Sequence, residues 1–143
     1  LVHPEKENTM LSILIHQDYD TLIDNNKYPS IAVKIVEHEF SEIGNCVEKR
    51  NANLRMCSIS EYSEDKDSEN VFIKIGGTPF LIQDEETYYK ELEEHGFFFF
   101  LSIDEDGYSE DVIIGSYPFG YGALYLYKHH MTNEIIAGFW QYS

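Results

Sequence analysis

The sequence predicts an α+β fold, a predominantly antiparallel β-sheet of about seven or eight strands with one main helix near residues 84–95. Three observations lead there. Aromatic residues make up 15% of the chain, mostly Tyr and Phe, and flat rings pack well on a pleated face. Several short stretches alternate apolar and polar residues with a period of two. A single stretch, residues 84–95, carries helical spacing instead. At 143 residues the chain has the size of one domain, residues 1–143. A chain of that length buries roughly 68–70% of its unfolded surface, so it needs neither disulfide nor metal to fold.

Residues 10–16 (MLSILIH) form the first strand and lead into a turn over residues 18–24. Asn25-Asn26 and Tyr28-Pro29 mark a loop by their turn chemistry. Over residues 31–40, Ile31, Val33 and Ile35 share one side and Lys34, Val36 and His38 the other, the pattern of a half-buried strand. Residues 41–53 read as an irregular connection, and residues 54–62 (LRMCSISEY) alternate again. Residues 63–70 (SEDKDSEN) hold no apolar side chain and form an exposed acidic loop, the best candidate for a mobile segment.

Residues 71–75 form a strand stopped by Gly76-Gly77, which tolerate positive φ. Thr78-Pro79 then leads into a short apolar run, residues 80–83. Asp84 is placed to cap a helix, with Glu85 and Glu86 in the first turn, where the helix dipole favours anions. The helix runs to about His95 and stops at Gly96. Tyr88, Leu92 and His95 share one face, and Glu86, Glu93 and Glu94 point away from it. Residues 97–103 (FFFFLSI) lack alternation in their first half, as in a strand covered on both faces, which places them centrally in the sheet. Residues 104–111 (DEDGYSED) form a loop, residues 112–117 a further short strand, and residues 118–122 a bend. Residues 123–130 and 135–142 form a hairpin turning at Thr132-Asn133. There is no internal repeat and no linker.

Charge is the most informative compositional fact. The formal net charge is −16. Residues 1–60 hold nine acids and six bases, net −3; residues 61–111 hold sixteen acids and three bases, net −13; residues 112–143 hold one of each. Such a potential disfavours nucleic acid and anionic membrane and speeds encounter with a basic partner, although the same charge also serves solubility alone. No run of about 18 apolar residues marks a membrane span, and residues 1–10 lack the basic and apolar regions of a signal peptide. Cys46 and Cys57 stand in neither C-x-x-C nor zinc-ribbon spacing and read as free, mostly buried thiols, which favours the cytoplasm.

Few residue sets suggest chemistry. Asp104-Glu105-Asp106-Gly107 resembles the start of a calcium loop, but the acids that should follow are out of register, so it reads as a solvated turn. His129-His130 are adjacent and face opposite sides of a strand, and no metal or other cofactor is expected. There is no G-x-S-x-G elbow, and Ile75-Gly76-Gly77-Thr78 lacks the lysine of a phosphate loop. With 26 acids, a carboxylate pair for glycoside hydrolysis stays open as a weak signal. Tyr117, Phe119, Tyr121, Tyr125, Tyr127 and Trp140 supply either a stacking surface for sugars and peptides or cross-strand packing.

Four segments of the second half, KIGGTPFLIQDEE (residues 74–86), FFFFLSIDED (97–106), YPFGYGALYLY (117–127) and AGFWQYS (137–143), resemble in that order segments of the YwqG-like family of bacterial proteins. The resemblance covers roughly residues 71–143. Phe80-Leu81 stands where the family often has Trp beside Ile-Gln, and Ser102 stands where its Gln precedes Ile-Asp. The C-x-x-C pair of some relatives is replaced by the helix, so no zinc site carries over. The resemblance implies a β-rich α+β fold and no catalytic residue. Small relatives of such domains occur beside polymorphic toxins as immunity proteins.

Charge and resemblance together lead to a non-enzymatic, acidic protein-binding domain: an immunity protein that covers the active-site cleft of a cognate toxin, a basic nuclease. The expected contact residues are the exposed acids Glu64, Asp65, Asp67, Glu69, Asp104, Glu105, Asp106, Glu110 and Asp111, with Tyr62 and Tyr108 as aromatic anchors. The alternatives are a structural or regulatory module with no toxin partner, and a small-ligand or carbohydrate binder using the tyrosine-rich strand.

Overall fold

The computed structural model describes residues 1–16, 23–42, 44, 46, 48, 55, 58–59, 61–63, 71–109 and 112–142. Its elements are β1 (Thr9–Ile15), β2 (Val33–Glu39), β3 (Ile73–Ile75), α1 (Glu86–Glu94), β4 (Phe97–Asp104), β5 (Ala123–His129) and β6 (Ile135–Gln141). The fold is α+β with antiparallel sheets and one main helix. β1 and β2 form a two-stranded sheet, and the others form a four-stranded sheet in the order β3-β4-β5-β6. Among the described residues there are six strands rather than seven or eight. Residues 112–117 form turns and bends around an isolated bridge at Ile113, and the described members of 54–62 lie outside any strand.

The four-stranded sheet is the middle layer. On one side, β1 and β2 present Leu11, Ile13, Ile15, Val33 and Ile35 to Phe100, Leu101, Ile103, Leu124, Leu126, Ala137 and Trp140. The opposite side chains of β2 face outward, as the alternation predicts. On the other side, Leu92 with Tyr88 and Tyr89 of α1 packs on Phe97, Phe99, Tyr125, Tyr127 and Phe139. Residues on β5 alternate strictly between these two cores: Leu124 and Leu126 toward the β1-β2 pair, the hairpin side, and Tyr125 and Tyr127 toward the helix. β4 is internal, as its continuous apolar run predicts, and its register shifts between Phe99 and Leu101. That bulge puts Phe100 and Leu101 both in the hairpin-side core, so β4 turns Phe97 and Phe99 toward the helix and Phe100, Leu101 and Ile103 the other way.

A second bulge lies in β6 at Gly138. A Cβ there would stand 2.6 Å from the Tyr127 ring and 2.9 Å from Leu92, so glycine lets the helix sit down on the sheet. The outer edge of β6 is covered by the loop before β2: Tyr28 donates its N–H to Gly138 O at 2.7 Å, Trp140 donates its N–H to Asn26 O at 2.8 Å, and Lys27 bridges Phe139 between them.

The helix begins later than the sequence suggests. Glu85, not Asp84, is the capping position, and its side chain makes no capping hydrogen bond. The reason lies upstream, where a turn from Glu85 N–H to Gln83 O uses up residue 84. At the other end Gly96 takes φ +81°, the left-handed stop that its position predicts. Cys46 is a free but exposed thiol, correcting the expectation of burial; Cys57 lies outside the described residues.

Candidate functional site

The residues expected to form an acidic docking face fare unequally. Glu64, Asp65, Asp67, Glu69, Glu110 and Asp111 lie outside the described residues. Tyr62 is exposed and donates its hydroxyl to Val2 O at 3.1 Å, beside β1. Asp106 is exposed, while Asp104 and Tyr108 are half-buried at the far end of β4. Asp104 accepts from the Asp106 N–H at 3.0 Å, and Tyr108 packs on Phe72. Tyr62 and the 104–108 turn are therefore fixed to different elements.

Glu105 overturns its expected role. It is 1% exposed and cannot present charge to a partner. Its carboxylate accepts the N–H groups of Phe119 at 2.9 Å and Gly122 at 3.2 Å, while its own N–H binds Gly122 O at 2.9 Å. The bend at 118–122 would otherwise bury unpaired backbone donors, and Glu105 satisfies them from inside. Burial outweighs these donors and pushes its pKa up to about 7. The bend in turn stacks Tyr121 on Tyr117 at 4.0 Å, leaving Tyr121 60% exposed. Of the six aromatics considered for stacking, Phe119, Tyr125, Tyr127 and Trp140 are buried in the two cores.

Among the described residues, one run of exposed acids lies at and just before α1. Asp84, Glu85, Glu86, Glu91, Glu93 and Glu94 are all exposed. Only Glu86 among them has a basic partner in the described residues, Lys90 at 3.5 Å one turn on. The exposed side of α1 is legible as acidic in the sequence, although the loops at 63–70 and 104–111 hold denser runs of acids.

Under this acidic rim lies a cleft of about 810 Å³, lined by residues 77–81, by Asp84, Tyr89 and Glu93, by Phe97–Phe99 of β4, and by Tyr127 and His130. Its outer wall is held rigidly. Gln141, fully buried, accepts the N–H groups of Ile82 at 2.9 Å and Gln83 at 3.1 Å through one oxygen and donates its amide to Gln83 O at 2.7 Å. Tyr125 donates its hydroxyl to Phe80 O at 2.7 Å, and Tyr88 donates to the Gln83 side chain at 2.6 Å. These bonds pin residues 80–83 across the sheet and set Phe80 and Leu81 as the wall. At the mouth, His130 stacks on Phe98 at 4.5 Å, and the Lys74 ammonium sits 4.7 Å over the Phe80 ring.

The cleft is not legible in the sequence because its parts come from four separate stretches. The signal within reach was the pairing of two Gln-bearing segments, Ile82-Gln83 and Trp140-Gln141, which meet in space. Among the described residues there is no group of three side chains suited to hold a metal ion, and no helix is long and apolar enough to cross a membrane. No protein-family model, no curated protein and no solved structure matches the chain.

Proposed function

We propose that the chain is an acidic binding domain, an immunity protein of the bacterial cytoplasm that neutralises a basic toxin, most simply a nuclease, by covering its active-site cleft. The observation that carries this reading is the helix-side rim, where five exposed carboxylates, Asp84, Glu85, Glu91, Glu93 and Glu94, have no basic partner among the described residues. Carboxylates so displayed imitate the phosphates that a nuclease cleft attracts, and complementary charge raises the rate of encounter more than the final affinity. Asp106, exposed on the 104–108 turn, remains available as a secondary contact.

The test is association with a toxin encoded beside this chain's gene, followed by biolayer interferometry at about 50 and 200 mM salt. Charge reversal of Glu91, Glu93 and Glu94 to Lys should slow association about tenfold and flatten its salt dependence. Reversal of Asp104 and Asp106 should do less. An association rate untouched by all five reversals removes the acidic-surface mechanism.

A further inference from the structure

We infer that the cleft beneath α1 is a binding site for a small organic cation, an ammonium, amidinium or guanidinium group carried on an aromatic or alkyl body. The inference does not depend on a protein partner; it rests on the cavity itself. Its volume, about 810 Å³, falls within the roughly 300–1,000 Å³ of ordinary ligand sites. Its lining includes the rings of Phe80, Tyr89, Phe98 and Phe99, and aromatic rings attract cations through their quadrupoles. The chain itself already lays one cation, Lys74, on the Phe80 ring.

Charge selects among ligands that such walls accept. Asp84 and Glu93 line the cleft, and neither forms an ion pair among the described residues. A phosphate or carboxylate ligand would meet both, in a chain of net charge −16. A neutral sugar would stack on the rings and donate hydroxyls to the carboxylates, but without the charge attraction that a cation gains. A cation with an apolar body uses walls and carboxylates together.

Tyr127 supplies the independent observation. It lines the cleft and is only 2% exposed, yet its hydroxyl has no hydrogen-bond partner among the described residues. Its neighbour on the same face, Tyr125, is equally buried and gives its hydroxyl to Phe80 O. The Tyr127 hydroxyl is not sealed away, since among the described residues the buried side-chain atom left without a partner is His3 Nε2; the hydroxyl reaches the cleft and is open to bond what enters. An N–H of the ligand would donate to the Tyr127 oxygen, with the positive charge held between Glu93 and Asp84. Burial, and then the charge of Glu93, raise the pKa of this phenol, so it remains a neutral hydroxyl.

The probe is benzamidine, followed by amide NMR shifts of the full chain, with benzamide as its neutral isostere, benzoate as its anionic one and maltotriose as a neutral glycan. The inference predicts saturable benzamidine shifts at Phe80, Tyr89 and Phe98, with benzamide and benzoate at least tenfold weaker. Y127F should weaken benzamidine about fivefold without altering thermal stability, because it removes no existing bond. E93Q should weaken it by a similar factor. Equal binding of benzamide, tighter binding of maltotriose, shifts elsewhere, or an unaltered affinity in Y127F would each overturn the assignment. Reversal of Glu91 and Glu94, which do not line the cleft, should leave benzamidine binding intact, so a failed toxin interaction and a failed ligand site give different results.

Discussion

The two sides of the four-stranded sheet are covered in different ways. On the hairpin side, aliphatic side chains of β1 and β2 meet aliphatic side chains of β4 to β6, together with Phe100, Phe119 and Trp140. That side is filled by apolar packing, with His3 buried against Phe100 at its rim. On the helix side the covering residues are aromatic, and one helix of nine residues is too short to roof the whole face. The remainder is roofed by residues 80–83, an irregular segment whose backbone needs partners, and Gln141, Tyr125 and Tyr88 provide them. The hairpin side thus holds the fold, while the helix side keeps a cleft open under a polar brace. The contrast teaches that the same sheet serves as a core on one face and as a platform on the other.

Breaking the sealed side should cost most. Leu124→Ala removes a fully buried side chain from the hairpin-side core and should destabilise the chain by about 3–4 kcal/mol in urea unfolding, leaving a cavity that the layered packing cannot close. Breaking the brace should cost somewhat less. Gln141→Leu leaves the Ile82 and Gln83 N–H groups and the Gln83 carbonyl without their buried partner, a loss of roughly 2–3 kcal/mol. Hydrogen exchange at residues 82 and 83 should rise along with it, well before that of β4.

Glu105 gives a pH dependence with a defined sign. Its folded-state pKa of about 7 lies above the ordinary 4.5, so the folded chain keeps a proton that the unfolded chain has already released. Its contribution is complete below about pH 4.5 and is lost as pH rises through 7. The wild-type chain should therefore melt several degrees higher at pH 5 than at pH 8, for a difference on the order of 2 kcal/mol, and E105Q should flatten that slope.

The smallest effects sharpen the contrast between two tyrosines on one face. Tyr125→Phe should cost about 1 kcal/mol, because its hydroxyl pins the cleft wall at Phe80. Tyr127→Phe should change stability by less than about 0.5 kcal/mol, because its hydroxyl bonds to none of the described residues. Chemical denaturation of the two variants side by side decides the point.

Much of this architecture can be read from the sequence, for physical reasons specific to each element. Period-two alternation marks β2 because one of its faces meets solvent. The apolar run marks β4 as internal, although Phe98 stays exposed and both faces are covered only from Phe100 on. Gly76, Gly77 and Gly96 mark stops because only glycine enters the left-handed region freely, and each does so here. Density of acids does not reveal exposure: Glu105 sits in the DED triplet at 104–106, yet points inward because the 118–122 bend needs its oxygens. Nor does sequence spacing reveal the cleft, since Gln141 and Ile82 are 59 positions apart and only the sheet brings them together.

The account stands on the claim that the helix side of the sheet is where this chain meets positive charge. Titration of the full chain with a hexa-arginine peptide, followed by amide NMR shifts, tests it directly. The largest shifts should fall on residues 84–94 and on Phe80 and Phe98, and they should diminish as salt is raised. Shifts centred instead on Asp104 to Tyr108 or on β1 and β2, or spread evenly over the surface, would contradict it.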